Sequence, residues 1–359
     1  MNEQITNFTG LQPLFDKYAN KLSDLFKELL EQQQIKFQAI EFRGKSITSF
    51  TDKVKREGKN YNDPIKEITD LAGVRIILYY LDDIDRIIEI LNQEFEIDDK
   101  NSVDKKEELQ FDQFGYLSIH KVISLRPNRS ELPEWKIYSD FKCEIQIRTL
   151  LQHTWASISH TLQYKNEADI PHEIRRELHR LSGLLELADE EFFKIKNKRL
   201  KISSNIETAL INKNLNIKVN LDSLLQFSKI SGEYEKIALI GFNSGYKRWD
   251  FNDDEYGFTL DDKIDRRNRN LSLLIKVCEH LEIKTLEELK KELVDITPLI
   301  ENNFKTYLDK IDEPDLIKRA SSDYINVEAI ILANKNKFSI EKLKEITDWN
   351  EKHISDLIE

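Results

Sequence analysis

The stretch Phe141-Lys142-Cys143-Glu144-Ile145-Gln146-Ile147-Arg148 constrains this chain more than any other. Successive side chains of an extended strand point to opposite faces, so Phe141, Cys143, Ile145 and Ile147 share one face. Lys142, Glu144, Gln146 and Arg148 share the other. A half-buried strand with one solvated face has the same alternation. Here, however, the strand runs directly into Thr149–Lys165, a helical segment bearing His153, Trp155, His160 and Tyr164. A charged strand face continued by such a helix reads as the floor of a site.

A second strand is predicted over Val74–Tyr80, an almost continuous apolar run of the kind found in a doubly covered central strand. Arg75 interrupts it, and a buried arginine needs an anionic partner. Asp70 at the strand's entrance is the partner that local spacing suggests. Further on, Phe114-Gly115-Tyr116-Leu117-Ser118-Ile119-His120 leads into a strand over Lys121–Leu125. Gly115 permits a tight turn that leaves Tyr116 on a loop, its ring face presentable to a ligand. Trp135–Tyr138 reads as another strand, and the charged residues 96–113 as a mobile connection. These strands alternate with helices over residues 14–39, 84–95, 150 onward and 171–201, which predicts an α/β (α+β) fold with a mixed sheet.

Between the first helix and Asp70 lies Arg43-Gly44-Lys45-Ser46, following an extended piece at 40–43. Ser46 is placed to cap a helix starting at Ile47, on which Lys53 and Arg56 are three residues apart and share a face. A solvated basic face is the plain reading of that pair. Asp63-Pro64 opens a short helix, proline standing where its missing N–H costs little.

The chain has 359 residues, a length natural for two domains, with 33% charged residues and only 10 Gly and 7 Pro. Past Ser203 the composition shifts to Asn, Lys, Leu and Ile. The expected division is therefore a domain over 1–200 and a mainly helical one over 201–359, whose helices open at Asn220, Thr285 and Ser339. The net charge of −11 argues against a surface devoted to nucleic acid but allows a local basic cleft. Two distant cysteines, Cys143 and Cys278, can build neither a disulfide framework nor a cysteine metal site. No membrane-length apolar stretch or leader is evident, so a soluble cytoplasmic protein is expected.

Taken together, RGKS at 43–46, DLAGVRI at 70–76, FGYLSIH at 114–120 and EIQIRTLLQHTWASISHTLQYK at 144–165 resemble the RelA/SpoT synthetase family, which makes (p)ppGpp. The likeness spans roughly residues 14–200 and implies a nucleotidyltransferase-like mixed sheet flanked by helices. No companion hydrolase segment is visible, which points to a stand-alone synthetase with an added carboxy-terminal half. The family transfers the β,γ-pyrophosphate of ATP to the 3′-hydroxyl of GDP or GTP and releases AMP. By resemblance, Asp70 and Glu144 are the catalytic and Mg²⁺-binding carboxylates. Arg43, Lys45, Ser46, Lys53, Arg56 and Arg75 would hold ATP, and Tyr116, Ser118, His120, Gln146 and Arg148 the acceptor. Whether Glu144 is a second metal ligand or the base for the hydroxyl is left open. His153 and His160, seven apart on one helical face, lack an adjacent third ligand for zinc.

One departure bears on the acceptor. Many alarmone synthetases carry a lysine and an asparagine before the Gly-Tyr of the acceptor loop, where this chain has Asp112-Gln113-Phe114. Some relatives with such loops are toxins that pyrophosphorylate the 3′ CCA end of tRNA, restrained by a fused carboxy-terminal domain that responds to phage. That is the first alternative reading, in which the basic cluster Lys196, Lys198, Arg199 and Lys201 could meet the tRNA backbone, a solvated helix end being its plain reading. The second alternative is an inactive nucleotide-sensing module. Stand-alone relatives often form homo-oligomers, so a homo-oligomer is an expectation of the resemblance as well.

Overall fold

The computed structural model describes residues 2–56, 58, 60–105, 118–162, 172–248, 260–310 and 319–358. Six strands form one mixed sheet: β1 (Phe37–Gly44), β2 (Ala72–Leu78), β3 (Phe95–Ile97), β4 (Val103–Asp104), β5 (Ile119–Leu125) and β6 (Cys143–Thr149). Their order is β1-β2-β6-β5-β3, with β4 paired to β5. The central β2–β6 pair is parallel, and β1, β5, β3 and β4 join antiparallel to their neighbours. Between them run α1 (Asn2–Gln32), α2 (Ile47–Val54), α3 (Pro64–Glu67), α4 (Asp82–Glu94) and α5 (Pro127–Ser130). The helices α6 (Leu150–Leu162) and α7 (His172–Ile211) follow β6. The mixed α/β fold with flanking helices is as the alternating pattern predicts.

One sheet face is apolar for the reason read from β6: Cys143, Ile145 and Ile147 are fully buried. Register places them beside Val74 and Ile76 of β2, and Phe15, Tyr18, Leu22 and Phe26 of α1 belong to the same core. Burial of side chains of this size stabilises by about 1.5–3 kcal/mol each, which fixes this face inward.

Three expectations are corrected. The first helix is not 14–39 but Asn2–Gln32, because Phe8 extends its buried stripe upstream and Gln34, at φ 54°, breaks it before β1. Residues 135–138 are not a strand: Lys136–Tyr138 form a 3₁₀ turn, closed by Trp135 N–H to the Leu132 carbonyl at 2.9 Å and Tyr138 N–H to the Trp135 carbonyl at 2.9 Å. A four-residue run carries too little pattern to override such local bonding. Part of 96–113 is ordered as β3 and β4, while residues 106–113 lie outside the described residues.

The chain divides into two compact units, residues 1–197 and 198–359, the division falling within α7. The second unit contains α8 (Leu221–Ile230), α9 (Gly232–Ser244), α10 (Leu260–His280), α11 (Leu286–Lys310), α12 (Ser322–Ala333), α13 (Ile340–Ile346) and α14 (Glu351–Ile358). A two-residue parallel pair joins β7 (Lys247–Arg248) to β8 (Arg319–Ala320). Asn220, Ser231, Ser321 and Ser339 cap α8, α9, α12 and α13 through their side-chain oxygens. Both cysteines are buried thiols. Among the described residues no helix is long and apolar enough to cross a membrane.

At the end of β6 the Thr149 hydroxyl donates to Asp189 of α7 at 2.6 Å. Asp189 is almost wholly buried. That burial pushes its carboxyl up to about 6; the Thr149 hydrogen bond opposes the shift and the charge of Glu186 adds to it. A carboxyl raised in the folded state favours folding fully only while both states hold the proton, below the unfolded pKa of about 3.9. That contribution is lost as pH rises through about 6. Above that pH the charged form costs the fold on the order of 2–3 kcal/mol. We predict that Asp189→Asn raises stability by that order at pH 8, measured by urea denaturation, and that the gain shrinks toward zero at pH 4. An equal gain at both pH values would contradict the burial argument.

Candidate active site

Strand register builds the polar face. Glu41 of β1 stands opposite Arg75 of β2, which pairs with Gln146 of β6, which pairs with His120 of β5. The next row is Arg43, Gly73, Glu144 and Val122. Hydrogen bonds run along these rows. Arg75 donates to Glu41 at 2.6 Å and to the Gln146 side-chain oxygen at 3.3 Å. Gln146 in turn donates to Glu144 Oε2 at 2.8 Å, and His120 Nδ1 lies 3.1 Å from Glu144 Oε1. The four strands are thereby linked by side chains as well as by backbone.

Asp70, just before β2, faces the same space. Lys45 reaches one of its oxygens at 2.6 Å and Lys53 the other at 2.8 Å. Burial pushes the Asp70 carboxyl up, but the hydrogen bonds from the two lysines prevail and hold it below the ordinary value. Glu144 behaves alike: burial raises it, the His120 and Gln146 contacts prevail in lowering it, and the charge of Asp70 pushes it up. Both carboxyls are therefore ionised at neutral pH and repel one another across a cleft that they line together with Arg43 and Arg75. Burial lowers Lys45, as do the charges of Lys53 and Arg43, against the pull of Asp70.

Two contacts of α1 set this arrangement. Asp16 accepts the Gly44 N–H at 2.6 Å, and a Cβ on Gly44 would land on that carboxylate. Phe8 stacks on Phe50 of α2 with ring centroids 4.0 Å apart, which fixes the helix carrying Lys53. Ser46 accepts from the Ser49 N–H at 3.1 Å and so caps α2.

A larger cavity of about 620 Å³ adjoins this cleft, lined by Arg43, Arg75, His120, Gln146 and Arg148 from the sheet and by Trp155 and His160 from α6. Its volume lies within the range of a small-molecule site. Arg148, at 3% exposure, is the only buried arginine or lysine among the described residues. Burial and the charge of Arg148 push His153 below its ordinary value, against the opposing charge of Glu41, so the ring is neutral at pH 7.

Of the residues expected from the sequence, the structure brings together Arg43, Lys45, Lys53, Asp70, Arg75, His120, Glu144, Gln146 and Arg148. Ser46 is committed to its cap. Arg56 lies beyond the end of α2, exposed, and lines neither cavity. Ser118 is buried, bonds the Ile147 carbonyl at 3.3 Å and lines a different cavity, beside Gln152 and Asp189. Tyr116 lies outside the described residues. The suggested Asp70–Arg75 pair does not form, because antiparallel register carries Glu41 to Arg75 while Lys45 and Lys53 take Asp70. In the basic cluster, Lys196 is paired with Asp82 at 2.8 Å and Arg199 with Asp222 at 3.2 Å.

Sequence reasoning did not find Glu41, Asp16 or Phe8. The alternation Glu41-Phe42-Arg43 was the available signal for the first; the other two sit on α1 with nothing local to mark them.

A family profile described as "Region found in RelA / SpoT proteins" matches residues 42–169. The chain is 34% identical over 161 residues to GTP pyrophosphokinase YjbM of Bacillus subtilis (strain 168), covering 44% of this chain and 72% of that protein. The chain belongs to the RelA/SpoT family. It is also 29% identical over 215 residues to GTP pyrophosphokinase YwaC of the same strain, covering 55% of this chain and 98% of that protein. A GTP pyrophosphokinase family protein from Streptococcus pneumoniae superimposes with a TM-score of 0.45 at 26% identity, covering 54% of this chain and 94% of that one.

The Gly44 contact gives a sharp expectation. Gly44→Ala must displace Asp16 or the strand end, whereas an added methyl at Gly10, on an exposed turn of α1, meets open space and gains helix propensity. Thermal denaturation should show Gly44→Ala destabilised by more than about 1 kcal/mol and Gly10→Ala stabilised by roughly 0.5–1 kcal/mol. Equal effects would mean that Asp16 does not crowd the site.

Proposed function

We propose that the chain is an ATP:GDP/GTP 3′-pyrophosphotransferase that makes (p)ppGpp and releases AMP. The observation that carries the reading is that Asp70 and Glu144, both held ionised, share one cleft ringed by Lys45, Lys53, Arg43 and Arg75. Membership of the RelA/SpoT family and the names of the two Bacillus relatives support it.

In the reaction the acceptor 3′-oxygen bonds to the β-phosphorus of ATP. The bond from that phosphorus to the α,β-bridging oxygen breaks, AMP leaves with the electron pair, and the hydroxyl proton passes to solvent water. Little covalent chemistry is asked of the protein; positioning and charge compensation do the catalysis. Arg43, Lys45, Lys53 and Arg75 compensate the polyphosphate, the lysines exchanging Asp70 for phosphate oxygens when ATP arrives. His120, Gln146 and Arg148 line the larger cavity and take the acceptor side.

The carboxylate pair fits Mg²⁺, a hard cation satisfied by one or two carboxylates with water and phosphate oxygens completing the shell. Asp70 and Glu144 would hold the ion, and its chemistry there is neutralisation of phosphate charge. A carboxyl held below its ordinary pKa is a weak proton acceptor, which favours Glu144 as ligand over Glu144 as base.

The test is incubation of the full chain with γ-labelled ATP, Mg²⁺ and either GDP, GTP or deacylated tRNA. Label on GDP and GTP is expected; label on tRNA alone would replace the acceptor, and no label on any would overturn the transferase reading. Glu144→Gln should lower the turnover at least about a hundredfold, the scale on which a single electrostatic contact to a transition state acts. Near-normal turnover with an unchanged melting curve would remove Glu144 from the mechanism.

A further inference from the structure

The second unit contains a cavity of its own that the transfer reading does not use. It has a volume of about 340 Å³ and lies between α10, the start of α12 and α14. Arg266 and Arg269 of α10 line it, three apart and so on one helical face. Between them Arg267 turns the other way, donating to the buried Asp323 at 3.3 Å and to Ser228 at 3.0 Å. Among the described residues Asp348 is the only carboxylate of the lining. The cavity is thus cationic at its rim in a protein whose formal charge is −11.

The lining is also aromatic. Trp349 lies 5.6 Å from Tyr324, tilted by 59°, and 4.7 Å from His353, edge-on, by ring centroids. Between rim and wall stand amide and hydroxyl groups: Asn270, nearly buried, donates to Ser321 at 3.1 Å, and Asn350 lines the same space.

The wall rests on a buried hydrogen-bonded network. Glu328 of α12 is fully buried and lies 3.0 Å from His353 Nε2. Tyr307 donates to it at 3.2 Å, and Tyr246 donates to its other oxygen. The Tyr324 hydroxyl lies 3.3 Å from the same His353 nitrogen. A buried carboxylate is costly unless its partners satisfy it; here those contacts hold the histidine at the cavity edge. Buried ionisable networks of this kind gather at functional sites.

Guanidinium pairs recognise phosphate by paired N–H donors, and stacked rings recognise a planar base. The volume lies at the lower end for small-molecule sites and suits one mononucleotide. We propose that this cavity binds a nucleoside phosphate, its phosphates on Arg266 and Arg269 and its base against Trp349 and Tyr324. The inference stands independently of the transfer activity, since none of its residues belongs to the site on the sheet.

The test uses the full chain labelled with 5-fluorotryptophan. Its 4 tryptophans give four ¹⁹F resonances, assigned by single Trp→Phe variants, with Trp155 reporting the sheet cavity and Trp349 this one. AMP, GDP, GTP and inorganic pyrophosphate serve as probes. We expect at least one nucleotide to move the Trp349 resonance saturably, and the Arg266→Ala/Arg269→Ala variant to weaken that response at least about tenfold. Before any probe is added, the other three resonances of the variant should coincide with those of the native chain. Arg269→Gln alone replaces the double variant should the latter fail to fold, with a smaller loss expected. A Trp349 resonance that no nucleotide moves, or one that responds equally in the arginine variants, would overturn the proposal. So would pyrophosphate acting as strongly as the nucleotides, because the aromatic wall would then have no part.

Discussion

The site depends on one constraint, the register of β2 against β6. That parallel pairing sets Gly73 beside Glu144 and Arg75 beside Gln146, and the flanking antiparallel strands extend the same rows to Arg43, Glu41 and His120. A slip of one residue would turn Glu144, Gln146 and Arg148 into the core and expose Ile145 and Ile147. The apolar face therefore secures the polar one: Cys143, Ile145 and Ile147 share one buried core with residues of α1 and α4, and the charges of β6 are left on the other side.

Charge is arranged on that face with its repulsions already compensated. Asp70 is neutralised by two lysines, Glu144 accepts a hydrogen bond from Gln146 and faces His120 Nδ1, and Arg75 leans on Glu41. With Lys45 and Lys53 counted beside Arg43 and Arg75, four cations stand against Glu41, Asp70 and Glu144, so an incoming polyphosphate meets a locally positive field in an otherwise acidic protein. The lysines that stabilise Asp70 in the absence of nucleotide are those with the reach and charge to transfer to phosphate. Helix α1 links these parts at a distance, holding the Gly44 turn through Asp16 and the Lys53 helix through Phe8.

Much of this was legible in the chain. The alternation over 141–148 shows which side chains of β6 face the core, and Ser46 announces its helix by position alone. The motifs also single out Asp70, Arg75 and Glu144. What spacing could not supply was partnership. Asp70 and Arg75 are close in sequence, yet the strand between them carries Arg75 to a residue 34 positions upstream. Asp16 and Phe8 act through tertiary packing, and an α1 residue gives no local sign of touching a strand turn. The aromatic run at 135–138 shows the opposite error, in which β propensity yields to turn hydrogen bonds and to Tyr138 stacking on Tyr18 at 5.2 Å.

The central claim is that Asp70 and Glu144 together make the metal-dependent nucleotide site. Its most direct test is calorimetric binding of a non-transferable α,β-methylene analogue of ATP, with and without Mg²⁺, to the native chain and to Asp70→Asn and Glu144→Gln. The account predicts that Mg²⁺ tightens binding to the native chain and that either substitution removes most of that enhancement while leaving the metal-free affinity within a few-fold. The same Mg²⁺ enhancement in all three proteins would contradict it.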